Sequence, residues 1–155
     1  MIRSALTVSV FIFIVSTLWL AFEKLIGLHG KFITYHQYVT MILPIFIILI
    51  TVKSTQLYRI KCGGKITFAH ALFFGLSLTA FNTALSPVGL WIFENFINPN
   101  FYKDFINYSV TNGLHDKASA IEYFNHDNYL EQTLIAQSTQ GIFLSVVIAF
   151  ASSRK

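Results

Sequence analysis

Four long apolar runs dominate this sequence and limit the folds that it can adopt. They cover about residues 5–22, 35–52, 68–96 and 129–151. Each is about as long as the roughly 17–25 residues that an α-helix needs to cross a bilayer, or longer. Hydrophobic residues make up 54% of the 155-residue chain and charged residues only 12%, against about 25% in soluble domains. The sequence therefore predicts an all-α, polytopic membrane protein with four transmembrane helices in a single membrane domain, residues 1–155.

Polar residues mark where three of these helices should begin. Thr34 and Gln37 have the spacing of a capping box before the second run. Thr67, which follows a glycine turn, is a candidate N-cap for the third run. Asn128 and Glu131 repeat the capping-box spacing before the fourth run. We therefore expect helices to begin close to these residues.

Two prolines lie inside the predicted membrane helices. Pro44 should kink the second helix, which membrane helices tolerate when neighbouring groups satisfy the freed carbonyl. The third run is roughly 30 residues long, or near 45 Å at about 1.5 Å per residue. That length predicts either a helix that tilts and projects from the bilayer or a bend at Pro87.

The long polar segment 97–127 separates the third and fourth runs. Asn98-Pro99 predicts a helix start, and Asn112-Gly113 predicts the end of that helix. Aromatic and aliphatic residues between them share one broad face, which is typical of a short amphipathic helix on a membrane surface or against a bundle. A second short helix is predicted over 117–124, with Asp116 as its cap.

Basic residues are distributed unevenly among the segments between the runs. Seven of the eleven lie on one side, and the other side carries four together with all seven acidic residues. The two sides therefore carry net charges of +7 and −3, which add up to the formal charge of +4. The seven basic residues are Arg3, Lys53, Arg59, Lys61, Lys65, Arg154 and Lys155.

This asymmetry predicts the orientation of the chain in the membrane. The positive-inside rule places both termini and the 53–65 loop on the cytoplasmic side, as in a protein of the bacterial inner membrane. Segment 97–127 then faces the periplasm. Because the basic residues follow the inner membrane face, where anionic lipid attracts them, we expect the lipid bilayer as their partner and not nucleic acid.

Small and polar residues form a stripe along the third and fourth runs. One interpretation is a polar path for a substrate or ion, and the other is helix packing, in which small residues let two backbones approach closely. Transport usually leaves an ionisable group near the membrane midplane, and the deepest polar side chains here are uncharged, so packing is favoured. The stripe comprises Gly75, Thr79, Asn82, Thr83, Ser86, Gln137, Gly141 and Ser145.

Four histidines on the predicted outer side are the candidate metal ligands. His29, His36, His115 and His126 lie there with acidic residues that include Glu23, and zinc binds imidazole nitrogen and carboxylate oxygen. No two of them have a tight metal-binding spacing such as the H-x-x-x-H of a helix. We therefore predict that the outer segments pack together without a metal between them, and no cofactor is predicted.

Function is not encoded in a recognisable motif. The sequence contains no nucleophile elbow, P-loop, zinc-protease motif or glycine-rich dinucleotide turn, so an enzyme is not predicted. The favoured hypothesis is a non-enzymatic assembly subunit with a membrane-protein partner or with copies of itself. The alternatives are a transporter or channel subunit with a polar path between the third and fourth helices, and an outer-face metal-binding protein.

Several sequence landmarks occur in a familiar order. "GLHGKFITYHQY", a proline-containing second helix, "GGKITFAHALFFG" and "FINPNF" together resemble the bacterial membrane family known as domain of unknown function 4199. The resemblance covers nearly the whole chain, and "GGKITF" and "INPNF" contribute most of it. It implies a four-span protein of about this size. It implies no catalytic residues, since the family has no established activity.

Overall fold

The computed structural model describes residues 1–153, and these residues form a bundle of long helices. They contain seven α-helices. One 3₁₀ turn, Ile33–Tyr35, precedes the second of these helices, and one π-helical turn, Phe93–Ile97, follows the fourth. The described residues contain no strand, so the predicted all-α class is confirmed. The helices are α1 (Ile2–Leu25), α2 (His36–Thr40), α3 (Ile42–Lys61), α4 (Phe68–Ile92), α5 (Phe101–Thr111), α6 (Lys117–Tyr123) and α7 (His126–Ser153).

Within residues 1–153, four helical stretches are long and apolar enough to cross a membrane. Three of them extend past their apolar runs at both ends, and the third begins with its run at Phe68 and ends one residue beyond it. The short helices α5 and α6 lie between the third and fourth stretches. The predicted architecture of a multi-pass membrane protein is therefore confirmed. The four stretches are Ile2–Leu25, Ile33–Lys61, Phe68–Ile97 and His126–Ser153.

Helix α4 is the centre of the bundle. It packs most extensively against α7 and next against α1, whereas α3 makes fewer contacts with the other three long helices. One buried cluster joins Phe74 and Leu78 of α4 to Ala5 of α1. A second cluster at the opposite end joins Leu90 and the π-helical turn to Phe101 of α5. Large apolar side chains cover the outside of the bundle, as lipid-facing helices require.

The second span is interrupted near Pro44. The helix breaks at Met41, and α3 begins at Ile42. Pro44 has no N–H to donate to the carbonyl of Thr40, which is the last residue of α2. The interruption predicted from this proline is therefore a break between two helices, with α2 on the side of the 3₁₀ turn.

The third span remains helical through Pro87. Helix α4 continues to Ile92 and then widens into the π-helical turn, which is closed where the Asn98 N–H donates to the Phe93 carbonyl at 2.7 Å. The predicted break at Pro87 is therefore absent, and the tilt of this span in the membrane stays a prediction. Such π turns are rare and often accompany functional sites.

Two of the predicted caps are confirmed. The Thr67 hydroxyl accepts a hydrogen bond from the His70 N–H at 3.3 Å at the start of α4. Asp116 accepts from the backbone N–H groups of Ala118 and Ser119 at 2.9 and 3.0 Å at the start of α6. The end of α5 at Asn112-Gly113 is confirmed as well, since Gly113 has the positive φ that glycine tolerates.

The other three predicted caps, Thr34, Asn98 and Asn128, are wrong. Helix α2 begins at His36 without a side-chain cap, and the Thr34 hydroxyl accepts instead from Tyr108 in α5 at 3.3 Å. Helix α5 begins at Phe101 and not at Pro99, because Asn98 closes the π-helical turn. Helix α7 begins at His126 and not near Tyr129, since the Asn125 side chain accepts from the Asn128 N–H at 2.9 Å. In each case a tertiary contact or a neighbouring residue competes with the local signal.

Candidate metal-binding site

A carboxylate and two imidazoles lie together where α1 and α2 meet. The Oε2 atom of Glu23 is 3.4 Å from His29 Nε2 and 3.7 Å from His36 Nε2. The potential ligand atoms of the three residues all lie within 4.8 Å of one another. The side chains of Glu23 and His29 are fully buried, and that of His36 is 15% exposed. The cluster is therefore enclosed except on the side of His36.

A tight turn after α1 brings His29 back towards Glu23. Gly27 adopts φ +82°, a left-handed conformation that glycine tolerates best. The Leu28 N–H donates to the Glu23 carbonyl at 3.0 Å, and the Gly27 N–H donates to the Lys24 carbonyl at 3.1 Å. This pair of bonds is a Schellman motif, which ends a helix and reverses the chain. The residue after Leu28 is thereby placed against the last turns of α1.

The two oxygens of Glu23 have different surroundings. Oε1 accepts hydrogen bonds from Trp19 Nε1 and from the Thr40 hydroxyl, both at 2.6 Å. Oε2 is buried and lies 3.4 Å from His29 Nε2, which is an ion-pair distance without a well-aligned hydrogen bond, and neither it nor either ring nitrogen of His29 has another hydrogen-bond partner. Buried polar atoms are nearly always hydrogen-bonded, so three unpartnered atoms in one cluster require an explanation.

Aromatic rings from the π-helical turn and α5 enclose the two histidines. The His29 ring makes edge contacts with Phe93 and Phe101, at centroid distances of 5.5 and 5.2 Å. His36 contacts Phe105 in the same manner at 5.0 Å, and the two imidazoles are 5.1 Å apart. These rings restrict water to the side of His36 and lower the local dielectric constant of the cluster, which strengthens electrostatic interactions inside it.

The geometry of the three residues fits a tetrahedral metal ion. Zinc binds imidazole nitrogen and carboxylate oxygen at about 2.0–2.1 Å, which separates neighbouring ligand atoms by about 3.3–3.4 Å. The two oxygen–nitrogen distances, 3.4 and 3.7 Å, are close to that separation. A metal ion in the centre would also satisfy Glu23 Oε2 and one ring nitrogen of His29. Small side-chain movements would therefore complete a site with three protein ligands.

The other two candidate histidines lie outside this cluster. His126 Nδ1 is 2.8 Å from Glu94 Oε2, and the Tyr102 hydroxyl donates to the same carboxylate. Burial, together with that hydrogen bond, raises the pKa of Tyr102. His115 Nδ1 lies 2.8 Å from the Ser109 hydroxyl. The described part of the chain thus brings together only His29 and His36 of the four, and adds Glu23.

The stripe residues of α4 lie close to those of α7. A Cβ atom added to Gly75 would lie 2.7 Å from Ser145 Oγ, and one added to Gly141 would lie 2.5 Å from two atoms of Thr79. Further along, the Ser86 hydroxyl donates to the Gln137 side chain and is also within hydrogen-bond distance of the Asn82 carbonyl. Thr83 Oγ1 is buried without a hydrogen-bond partner.

Sequence reasoning did not single out Trp19, Thr40 or the central role of Glu23. The ligand spacing of six and then seven residues matches no regular helix, because a turn separates the first two ligands. One available signal was the position of Glu23, an acidic residue directly after an uncharged apolar run. Ionisable residues in membrane segments are costly and are therefore functional candidates.

Comparison with known proteins places the chain in a family. The family profile described as "protein of unknown function (DUF4199)" matches residues 6–153, nearly the whole chain. No curated protein and no solved structure matches it. The resemblance inferred from the sequence landmarks is thereby confirmed. This chain belongs to the DUF4199 family, a family of proteins of unknown function.

Proposed function

We propose that this membrane protein binds a divalent transition-metal ion through Glu23, His29 and His36. The observation that carries the proposal is the buried cluster in which Glu23 Oε2 and both ring nitrogens of His29 lack hydrogen-bond partners. Leaving such groups unpaired in an apolar interior costs free energy, and a bound metal ion removes much of that cost. Two nitrogens and one oxygen suit zinc and its neighbours better than calcium or magnesium, which prefer oxygen ligands.

We propose further that the site opens to the periplasm of a bacterium. The contact of Lys24 Nζ with Asn98 Oδ1 at 2.8 Å brings segment 23–38 and segment 97–127 to one end of the bundle. That end carries all the acidic residues, while Arg3 and Lys61 lie beside one groove at the other end. The positive-inside rule then favours cytoplasmic termini in the inner membrane. Arg154 and Lys155, which contribute to the same charge bias, lie outside the described residues.

Metal titration of the purified protein tests the proposal. In mild detergent or lipid nanodiscs at pH 7.5, zinc should bind with a stoichiometry near one. Glu23→Gln, His29→Ala and His36→Ala should each weaken binding at least tenfold, because each removes a ligand. His115→Ala and His126→Ala are matched controls from the same end of the bundle and should bind as the wild type does. Equal binding by all five variants, or no saturable binding by the wild type, would refute the proposal.

An assembly role is a second proposal and rests on a different observation. A groove of about 570 Å³ between α4 and α7 is lined by Thr83, Pro87 and Ser138 among apolar side chains. Ser138 is partly exposed in this groove, and Pro87, which is exposed, has no N–H for the Thr83 carbonyl. Lipid tails offer the Ser138 hydroxyl no hydrogen bond, whereas a polar residue on a neighbouring helix does. A membrane-protein partner or a second copy of the chain would therefore fit this surface.

The transport hypothesis receives less support from the geometry. Gly75 approaches Ser145, and Gly141 approaches Thr79, so closely that not even a methyl group fits between them. A path for a substrate between α4 and α7 would require these helices to separate.

Light scattering in mild detergent, with Ser138→Ala as the variant, tests the assembly proposal. A monomer that retains no partner in native-lipid extraction would contradict it.

A further inference from the structure

The hydrogen bonds on Glu23 carry an inference about metal selectivity, which rests on the metal-binding function proposed above. We infer that Trp19 and Thr40 are positioning residues, which hold Glu23 as a one-oxygen ligand and thereby favour zinc over cations that need more oxygen donors. Both donate to Oε1, at 2.6 Å each, and neither donates to Oε2. The carboxylate is therefore asymmetric before any ion binds.

Two donors are enough to occupy Oε1. A carboxylate oxygen has two lone pairs, and the indole N–H of Trp19 and the hydroxyl of Thr40 each engage one. Hydrogen bonds to an ionised oxygen are among the stronger ones in proteins. Two-oxygen coordination by Glu23 would have to displace at least one of these donors, leaving the indole N–H or the hydroxyl unpaired. Oε2, which faces the histidines, is the oxygen that remains available to a metal ion.

Thr40 also lies against the second histidine. Its hydroxyl donates its proton to Glu23 Oε1 and is 3.3 Å from His36 Nε2. It therefore cannot donate that proton to Nε2 at the same time, and its oxygen can only accept from an Nε2–H group. A metal ion at Nε2 would replace that hydrogen, with the imidazole proton on Nδ1. One residue, a single turn after His36, thus contacts two of the three ligands.

The consequence is a preference among metal ions. Calcium takes 6–8 oxygen ligands, and manganese suits carboxylate and water sites, whereas zinc accepts four ligands rich in nitrogen. This site offers zinc two nitrogen ligands and one oxygen ligand, and it leaves a fourth position for water. Aromatic rings surround the rest of the site. If Oε1 were released, Glu23 could bind through both oxygens, and the discrimination against manganese would decrease.

Substitutions at the two donors test this inference. Thr40→Val removes one donor at nearly constant volume, Trp19→Phe removes the other with a smaller ring, and Thr40→Ser retains the hydroxyl. Groups that orient metal ligands typically change metal affinity by about 10–100-fold. We therefore expect Thr40→Val and Trp19→Phe to weaken zinc binding by about that factor. Both substitutions should also lower the ratio of zinc affinity to manganese affinity. Thr40→Ser should restore both values.

The matched control is another buried threonine of the second span. Thr51 in α3 is 8% exposed and donates to the Ile47 carbonyl, away from the cluster. Thr51→Val should therefore leave metal binding unchanged. Cobalt provides a second readout, since four-coordinate Co²⁺ absorbs visible light more strongly than six-coordinate Co²⁺. The absorbance of the cobalt complex should fall in Thr40→Val and return in Thr40→Ser.

The outcomes separate this inference from the function on which it rests. If the wild type binds no metal, the proposed function fails, and the inference fails with it. If the wild type binds zinc but Thr40→Val and Trp19→Phe retain its affinity and selectivity, only the inference is overturned. A proportional loss of affinity for zinc and manganese, with an unchanged cobalt spectrum, also overturns it, because that pattern indicates a structural role.

Discussion

The close approach of α4 and α7 at Gly75 leads to a prediction about stability. A Cβ atom at this position would lie 2.8 Å from Ser145 Cβ and 3.1 Å from Ser145 Cα. Carbon atoms in ordinary contact are about 3.5–4.0 Å apart, so α7 would have to move by about 0.7–1.2 Å. Overpacking of a close-packed interior costs about 1–3 kcal/mol. We therefore expect Gly75→Ala to carry a steric penalty of that size.

Helix propensity has to be separated from this penalty. Alanine favours a helix over glycine by up to about 1 kcal/mol, which opposes the steric cost. A double-mutant cycle with Ser145→Gly removes the propensity term, because that term is present in both backgrounds. The steric penalty should largely disappear when Ser145 Oγ and Cβ are absent. The coupling energy between the two substitutions should therefore be about 1–3 kcal/mol in favour of the double variant.

The cycle requires reversible unfolding in mixed micelles. The free energy of unfolding can be measured by far-UV circular dichroism as the mole fraction of a denaturing detergent increases. Four proteins are compared: the wild type, each single variant and the double variant. A coupling energy below about 0.5 kcal/mol would show that α4 and α7 do not pack through Gly75 and Ser145, and the stripe would need another explanation.

Two further predictions concern the end of the bundle that carries Glu23 and the two histidines. Gly27→Ala should lower the free energy of unfolding by about 1–2 kcal/mol and weaken zinc binding, because alanine disfavours the φ of +82° that places His29. Gly30→Ala, with no heavy atom within 4 Å of the new methyl group, is the control, and an equal effect of both would argue against the turn. The raised pKa of Tyr102 predicts a loss of stability above about pH 10, because the unfolded chain ionises there while the folded protein retains the proton. Tyr102→Phe should flatten the pH dependence of the unfolding free energy in that range, and an unchanged slope would contradict the assignment.

The class and the spans of this protein follow from the sequence alone. Long apolar runs have few stable solutions in a bilayer, because every backbone polar group must be satisfied inside the segment. Helices satisfy that condition without contributions from the rest of the chain, so run length and composition were sufficient. The caps at Thr67 and Asp116 were predictable for the same reason, since donor and acceptor are at most three residues apart.

Helix ends that depend on distant residues were not predictable in this way. Thr34 has the spacing of a cap, yet its hydroxyl is engaged by Tyr108, which is 74 residues away. Asn98 resembles the start of α5, yet it closes the π-helical turn after α4. A sequence pattern reports only the local capping hydrogen bond. The folded chain adopts the arrangement with the lower total free energy, in which tertiary contacts can outweigh that bond.

The candidate site was determined by the tertiary structure. The sequence identified His29 and His36 as two of four equivalent outer histidines and predicted no metal among them. Folding distinguished them, because the turn at Gly27 returns the chain to Glu23 and the aromatic rings of the π-helical turn and α5 cover the cluster. Which oxygen of Glu23 remains free depends on donors from two different helices. A cluster of this kind leaves no periodic pattern in a sequence. The distances among its ligand atoms are set by an irregular turn and by contacts between helices.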